Sequence, residues 1–258
     1  MDRWVGRVAM VTGGSGGIGR ALVKKFVQSG LKVLTCGRSV DKLKTLEVEC
    51  EGMTGKLVTI RCDMQNEADI AEMFTKLRSE FGRLDILVNN AGVGSDSASM
   101  LSGETSDWRE MLETNVLAVA ICTREGVKLM RECDINDGHI INIGSMSGHR
   151  IAGKSGHFYS ITKFALKEMT EGLRRELRET KNQTRVTLIS PGYVSTGFHD
   201  YSLGKDNETR DRMRKLKTVP DIQQLETDDI VDAVVYAVGA PPHVQIHDIL
   251  MRPTEQVV

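Results

Sequence analysis

Several things this sequence lacks narrow what it can be. It has no excess of charge of either sign: 34 basic and 35 acidic residues leave a formal net charge of −1, which argues against nucleic acid or another polyanion as partner. It has no uninterrupted apolar run long enough to cross a bilayer, so no membrane span is expected. No basic start followed by an apolar stretch marks a secretory leader. The five cysteines, Cys36, Cys50, Cys62, Cys122 and Cys133, are odd in number and scattered. They form neither a C-x-x-C pair nor a metal-ligand spacing, and read as reduced thiols of a cytoplasmic protein with no metal site. Proline is absent until Pro191, so nothing breaks regular structure over the first three-quarters of the chain.

What is present is a 258-residue chain, 40% hydrophobic and 27% charged, suited to one compact domain covering 1–258 with a sizeable core. Short apolar strand patterns at 7–11, 31–36, 56–61, 84–88, 139–143, 185–189 and 248–251 alternate with helical ones. That alternation predicts right-handed βαβ units and a parallel sheet. The first strand runs into T-G-G-S-G-G-I-G at 12–19, followed by a helix with Leu22, Val23, Phe26 and Val27 on one stripe. A glycine turn between strand and helix lets a pyrophosphate approach the backbone at a helix N-terminus. The second strand ends at Gly37-Arg38. An acidic residue there would hold a ribose 2′-hydroxyl, whereas an arginine beside an uncharged residue suits a 2′-phosphate; the sequence therefore favours NADP(H) over NAD. Ser39, Asn66 and Thr227 are predicted helix N-caps.

Asn89-Asn90-Ala91-Gly92 closes the fourth strand, where such sheets bind ligands. Residues 93–107 read as a flexible polar loop, and 108–132 as one helix with Asn115 inside it. The fifth strand leads to Gly144-Ser145-Met146-Ser147-Gly148. Tyr159 and Lys163 then stand one turn apart on a helix reaching about residue 180. A free tyrosine is a poor base, with a pKa of about 10. A nearby cation favours the phenolate by roughly 1–3 units, and a phenol so tuned can exchange a proton with an alcohol oxygen. Residues 197–222 are charge-dense, with a short helix expected near 207–216; they read as a mobile segment, either solvated loop or substrate lid.

Six of these motifs, T-G-G-S-G-G-I-G, N-N-A-G at 89–92, Asn115, I-G-S-M-S-G at 143–148, Y-S-I-T-K at 159–163 and P-G-Y-V-S-T at 191–196, occur in the order and spacing of the short-chain dehydrogenase/reductase family, which the chain resembles over nearly its whole length. Finer features, among them M-D-R-W at 1–4, S-M-S-G-H-R at 145–150 and M-R-P-T-E-Q at 251–256, are similar to the subgroup of the insect farnesol dehydrogenases and the vertebrate family member eleven. The loop from Gly148 to Tyr159 is one residue shorter than in that subgroup and lacks its proline, which bears on the substrate pocket.

The resemblance implies a three-layer Rossmann-type doubly wound fold, seven parallel strands with helices on both faces. It implies hydride transfer between NADP(H) and a lipophilic alcohol, ketone or aldehyde, farnesol-like or steroid, and a homodimer or homotetramer built on 108–132 and 159–179. Tyr159 would be the acid/base, and Lys163 would lower its pKa and hold the nicotinamide ribose. Ser145, preferred to Ser147 because it directly follows the strand end, would bind the substrate oxygen. Asn115 would hold a water linking Lys163 to solvent. Gly13, Ser15, Ile18 and Gly19 would contact the pyrophosphate, Arg38 the 2′-phosphate, Asp63 the adenine, Asn90 the adenosine ribose side and Thr196 the carboxamide. Gly17, Ser39, Met64, Ala91, Gly92, Pro191, Gly192 and Val194 complete the expected cofactor contacts. The rival readings are an NAD-dependent dehydrogenase of small polar alcohols and a non-enzymatic dinucleotide-binding scaffold.

Overall fold

The computed structural model describes residues 1–95, 98–151, 157–198 and 222–256. Its centre is a seven-stranded sheet: β1 (Val8–Val11), β2 (Lys32–Gly37), β3 (Lys56–Arg61), β4 (Ile86–Asn89), β5 (His139–Ile143), β6 (Arg185–Pro191) and β7 (Asp248–Met251). Every pairing is parallel, and the spatial order is β3-β2-β1-β4-β5-β6-β7. Chain order reverses between β1 and β4, which opens a crevice at their C-terminal ends.

Burial on both faces explains the unbroken apolar strands. Ala9, Val11, Val33, Val88 and Ile141 face α1 (Gly17–Gln28) and α7 (Thr227–Gly239), which contribute Leu22, Phe26, Ile230 and Val234. The alternate residues Val8, Met10, Leu34, Leu87 and Ile140 face α3 (Glu67–Phe81), α5 (Ala118–Glu132) and α6 (His157–Glu179), through Ile70, Phe74, Leu129 and Leu177. Side chains alternate across a strand, so the two-residue period assigns each its layer. The fold is thus the three-layer doubly wound one expected.

Local chemistry sets the helix ends. Ser39 accepts from the Lys42 N–H at 3.4 Å and caps α2 (Val40–Glu49), and Asn66 accepts from the Ala68 N–H at 2.9 Å. The cap of α7 is Glu226 rather than Thr227: its side chain and that of Asp229 form a reciprocal capping box, and Thr227 is the first helical residue. Arg185 is buried and donates to the carbonyls of Ala237, Val238 and Ala240, placing a cation at the negative end of the same helix.

Two further expectations change. The helix predicted over 108–132 begins at Thr105 and is broken in two: α4 (Thr105–Leu112) joins α5 through a π-helical turn, Glu113–Leu117, which contains Asn115. The preceding segment is less solvated than its composition suggests, since Val93 and Ala98 are buried. The helix expected near 207–216, and nearly all of the lid segment, lie outside the described residues. Among the described residues, no helix is long and apolar enough to cross a membrane.

Candidate active site

The crevice is walled by the strand-end turns, and the β1–α1 turn leaves no room for a side chain at Gly14 or Gly19. A Cβ on Gly14 would lie 2.0 Å from the Thr35 hydroxyl oxygen, and one on Gly19 would lie 2.4 Å from both Asn90 Nδ2 and the Gly13 carbonyl oxygen. Gly13 and Gly17 have positive φ, 75° and 51°, which glycine adopts without strain. No side chain caps the start of α1, and its first turn holds no acidic residue. Its first N–H groups therefore face the crevice as a positive dipole end free of competing carboxylate, which fits the pyrophosphate of a dinucleotide.

Across the crevice, Thr12 Oγ1 accepts from the backbone N–H of Asn90 at 3.0 Å and of Ala91 at 3.1 Å. Asn90 Nδ2 donates to the carbonyls of Thr12 at 2.8 Å and Gly13 at 3.3 Å. Both donors of the Asn90 amide are thus spent on holding the glycine turn against the end of β4. Thr196 closes the other side: its Cβ lies 3.4 Å from where a Cβ on Gly17 would stand. Pro191 ends β6, Gly192 donates to the Met251 carbonyl at 2.7 Å, and Val194 is buried in a parallel bridge to Leu225.

At the end of β2, a Cβ on Gly37 would approach Ser15 Oγ to 2.7 Å, so no acidic side chain fits beside Ser15. Arg38 follows, half exposed, with its guanidinium 3.7 Å from the Glu110 carboxylate. At the end of β3, the Asp63 carboxylate accepts from the Gln65 N–H at 3.1 Å, and the Met64 sulfur sits 3.8 Å from the thiols of Cys36 and Cys62. Apart from Gly17, Ile18 and Gly19 in the first turn of α1 and Tyr159 and Lys163 on α6, each predicted cofactor residue lies on a strand end or the segment leaving it.

The four expected catalytic residues converge. Tyr159 stands on the first turn of α6, with its hydroxyl near enough to the Ser145 side chain for that side chain to favour the phenolate. Ser145 Oγ accepts from the Ser147 backbone N–H at 3.1 Å. Gly148 brings this turn onto α6: a Cβ there would meet the Lys163 carbonyl oxygen at 2.7 Å. Lys163 is buried; its ammonium donates to the Ile143 carbonyl at 2.9 Å and lies 5.6 Å from the Tyr159 ring centre. Asn115 Nδ2 donates to the Val93 carbonyl at 2.8 Å and to Thr162 Oγ1 at 3.0 Å, and its Oδ1 accepts from the Val93 N–H at 2.9 Å. Its side chain holds the β4 exit strap against α6, which leaves only part of one oxygen for the expected water.

Acidity differs from expectation. Burial pushes the Tyr159 phenol above its usual range, and the neighbouring Ser145 side chain offsets this only in part. Burial also lowers Lys163, to about 8. The protein alone keeps the tyrosine a phenol, because loss of solvent outweighs what Ser145 does for the phenolate.

Sequence reasoning missed a buried amide ladder under the site. Asn89 Nδ2 donates to Asn142 Oδ1 at 2.8 Å, and Asn142 Nδ2 to Thr170 Oγ1 at 2.8 Å. Its available signal was an asparagine inside an otherwise apolar strand. An apolar group of Val93, Ala98, Met111, Trp108 and Phe158 surrounds Tyr159, with the Phe198 ring 5.7 Å from it.

Comparison with known proteins agrees with this geometry. The model of the short chain dehydrogenases matches residues 7–206. The chain belongs to the short-chain dehydrogenase/reductase family. Family membership makes it an oxidoreductase that binds a nicotinamide dinucleotide. Over 260 residues, all of both chains, it is 49% identical to dehydrogenase/reductase SDR family member 11 of Gallus gallus. It is 34% identical to farnesol dehydrogenase of Aedes aegypti, covering 98% of each. The closed form of serine dehydrogenase complexed with NADP+ superposes with a TM-score of 0.85 at 32% identity, over 97% of this chain and 96% of that one.

Proposed function

We propose that the protein is an NADP(H)-dependent dehydrogenase/reductase acting on a lipophilic alcohol, ketone or aldehyde, farnesol-like or steroid, with Tyr159 as proton carrier. The observation that carries this reading is the half-buried Tyr159 phenol facing the Ser145 side chain, one helical turn from buried Lys163. Support for NADP(H) is the Ser15 contact that bars an acidic side chain at position 37, with Arg38 next to it. Support for a lipophilic substrate is the apolar group around Tyr159.

The cofactor supplies the hydride; the chain holds, orients and protonates. Gly13, Ser15, Gly17, Ile18 and Gly19 would receive the pyrophosphate, with Arg38 and Ser39 at the phosphate-bearing ribose. Asp63, Met64, Asn90, Ala91 and Gly92 would line the adenosine half, and Pro191, Gly192, Val194 and Thr196 the nicotinamide half. Ser145 would orient the substrate oxygen at the phenol. Because burial keeps Tyr159 protonated, it stands ready to give its proton to a carbonyl oxygen. Lys163, at about 8, is mostly ammonium at neutral pH and would bind the ribose hydroxyls. Asn115 fixes Val93 and, through Thr162, the start of α6.

Exposed Leu112, Leu117, Ile161 and Phe164 give the helices at 105–132 and 157–179 an apolar outer surface, which supports a homodimer or homotetramer there. The five free thiols accord with the cytoplasm. The test is NADPH oxidation and NADP+ reduction over a panel of lipophilic carbonyls and alcohols, repeated with Tyr159→Phe. Turnover should drop by roughly 10²–10⁴ while cofactor binding persists. Unchanged turnover removes Tyr159 from the chemistry, and cofactor binding with no turnover anywhere on the panel returns the scaffold reading.

A further inference from the structure

The M-R-P-T-E-Q ending has no role in the reaction as described, yet its last residue is a buried polar side chain. Gln256 is 4% exposed. Its Oε1 accepts from the Tyr193 N–H at 3.0 Å, and its Nε2 points to the Met146 sulfur at 3.7 Å. These contacts fix the amide's orientation: the N–H of Tyr193 requires an oxygen, which turns the amide nitrogen to the thioether, a weak acceptor. Met146 directly follows Ser145, and Tyr193 sits between Gly192 and Val194. A Cβ on Gly192 would stand 2.3 Å from Gln256 Oε1, so that glycine admits the tail. Glu255 accepts from the Gln223 N–H at 3.3 Å, and Gln256 N–H bonds the Pro253 carbonyl at 3.0 Å, closing the tail into a turn.

We propose that Gln256 is a positioning residue: it clamps the turn bearing Ser145 to the 191–194 turn, and so sets the spacing between the substrate-oxygen contact and the nicotinamide side of the crevice. This rests on the oxidoreductase reading for its effect on rate, but the clamp itself is physical. It predicts that the two turns, bridged by a side chain 110 residues from Met146, loosen together when that side chain is removed.

The test uses the full chain with Gln256→Leu and Gln256→Glu. In Gln256→Leu, amide hydrogen exchange should quicken by roughly fivefold, the equivalent of one net hydrogen bond, in the peptides covering 143–149 and 190–196 alike, with β1 and β4 unchanged. Turnover per folded active site should fall about tenfold, a modest share of what misplacement by about 1 Å can cost, and the isotope effect with deuterated NADPH should rise. Gln256→Glu keeps both contacts only as the neutral acid, so its turnover relative to the parent should fall as pH rises; a packing residue gives no such slope. Exchange that quickens in neither turn, or in one alone, overturns the clamp whether or not a substrate is known. A flat turnover ratio with unaltered isotope effect, in a parent that turns over, overturns its role in the reaction. A parent without turnover sinks the oxidoreductase reading and leaves the exchange result to decide the clamp.

Discussion

Replacing Asn115 by leucine removes three buried hydrogen bonds without removing bulk. Two are the paired contacts with Val93, at 2.9 and 2.8 Å, and the third is the contact with Thr162 at 3.0 Å. Thr162 still donates to the Tyr159 carbonyl at 2.8 Å, so its loss costs little. Val93 fares worse. It is 7% exposed, and its N–H and C=O are left without partners where water does not reach. Each such group costs about 1–3 kcal/mol, which gives roughly 4 kcal/mol for the pair. At about 2–4 °C per kcal/mol for a chain of this length, the melting temperature should fall by roughly 8–16 °C. Asn115→Asp should be no better: its carboxylate can still accept from the Val93 N–H, but it has no donor for the Val93 carbonyl and adds a buried charge. Scanning calorimetry with urea titration as a check measures both. Melting of Asn115→Leu within about 2 °C of the parent would refute the assignment of Asn115 as the tie between the β4 exit and α6.

Other outcomes follow from the charges around the crevice. Lys163 has a folded-state pKa near 8 against 10.5 ordinarily, so the unfolded chain holds the extra proton between those values and stability should rise with pH across that window. Relative to Lys163→Met, the cofactor-free parent should gain roughly 3 kcal/mol between pH 8 and 10.5, read as a narrowing gap in melting temperature; a constant gap contradicts the burial argument. Glu110 competes with any phosphate for Arg38, so Glu110→Gln should tighten NADP+ by about two- to fivefold in isothermal titration, the worth of a partly exposed ion pair, and leave NAD+ unmoved. Arg38→Ala should weaken NADP+ far more than NAD+, and equal changes for the two cofactors would remove the 2′-phosphate role.

Much of this molecule was legible in its sequence because the relevant signals are local. The strand, glycine turn and helix at 7–28 declare themselves by spacing, and Ser39 and Asn66 are short-range caps. Thr227 was misread because Glu226 and Asp229 cap reciprocally, a pairing that competes with the hydroxyl next to it. The π turn was illegible: one more residue per hydrogen-bonded ring leaves the apolar rhythm of 105–132 nearly intact. The pairing of Tyr159 with Lys163 could be seen at four-residue spacing. Their acidity could not, because burial decides it and burial belongs to the assembled sheet. The contact of Gln256 with Met146 joins segments that no periodicity connects.

The π turn at Glu113–Leu117 carries one residue more than a plain helix would. Deleting a single residue there would let α4 and α5 run on as one regular rod, and each residue of helix corresponds to about 100° of rotation. The mended helix would swing the Asn115 side chain away from Val93. A shortened chain could therefore have a more regular backbone and a dismantled crevice, and this small irregularity is a place where improving the secondary structure would work against the enzyme.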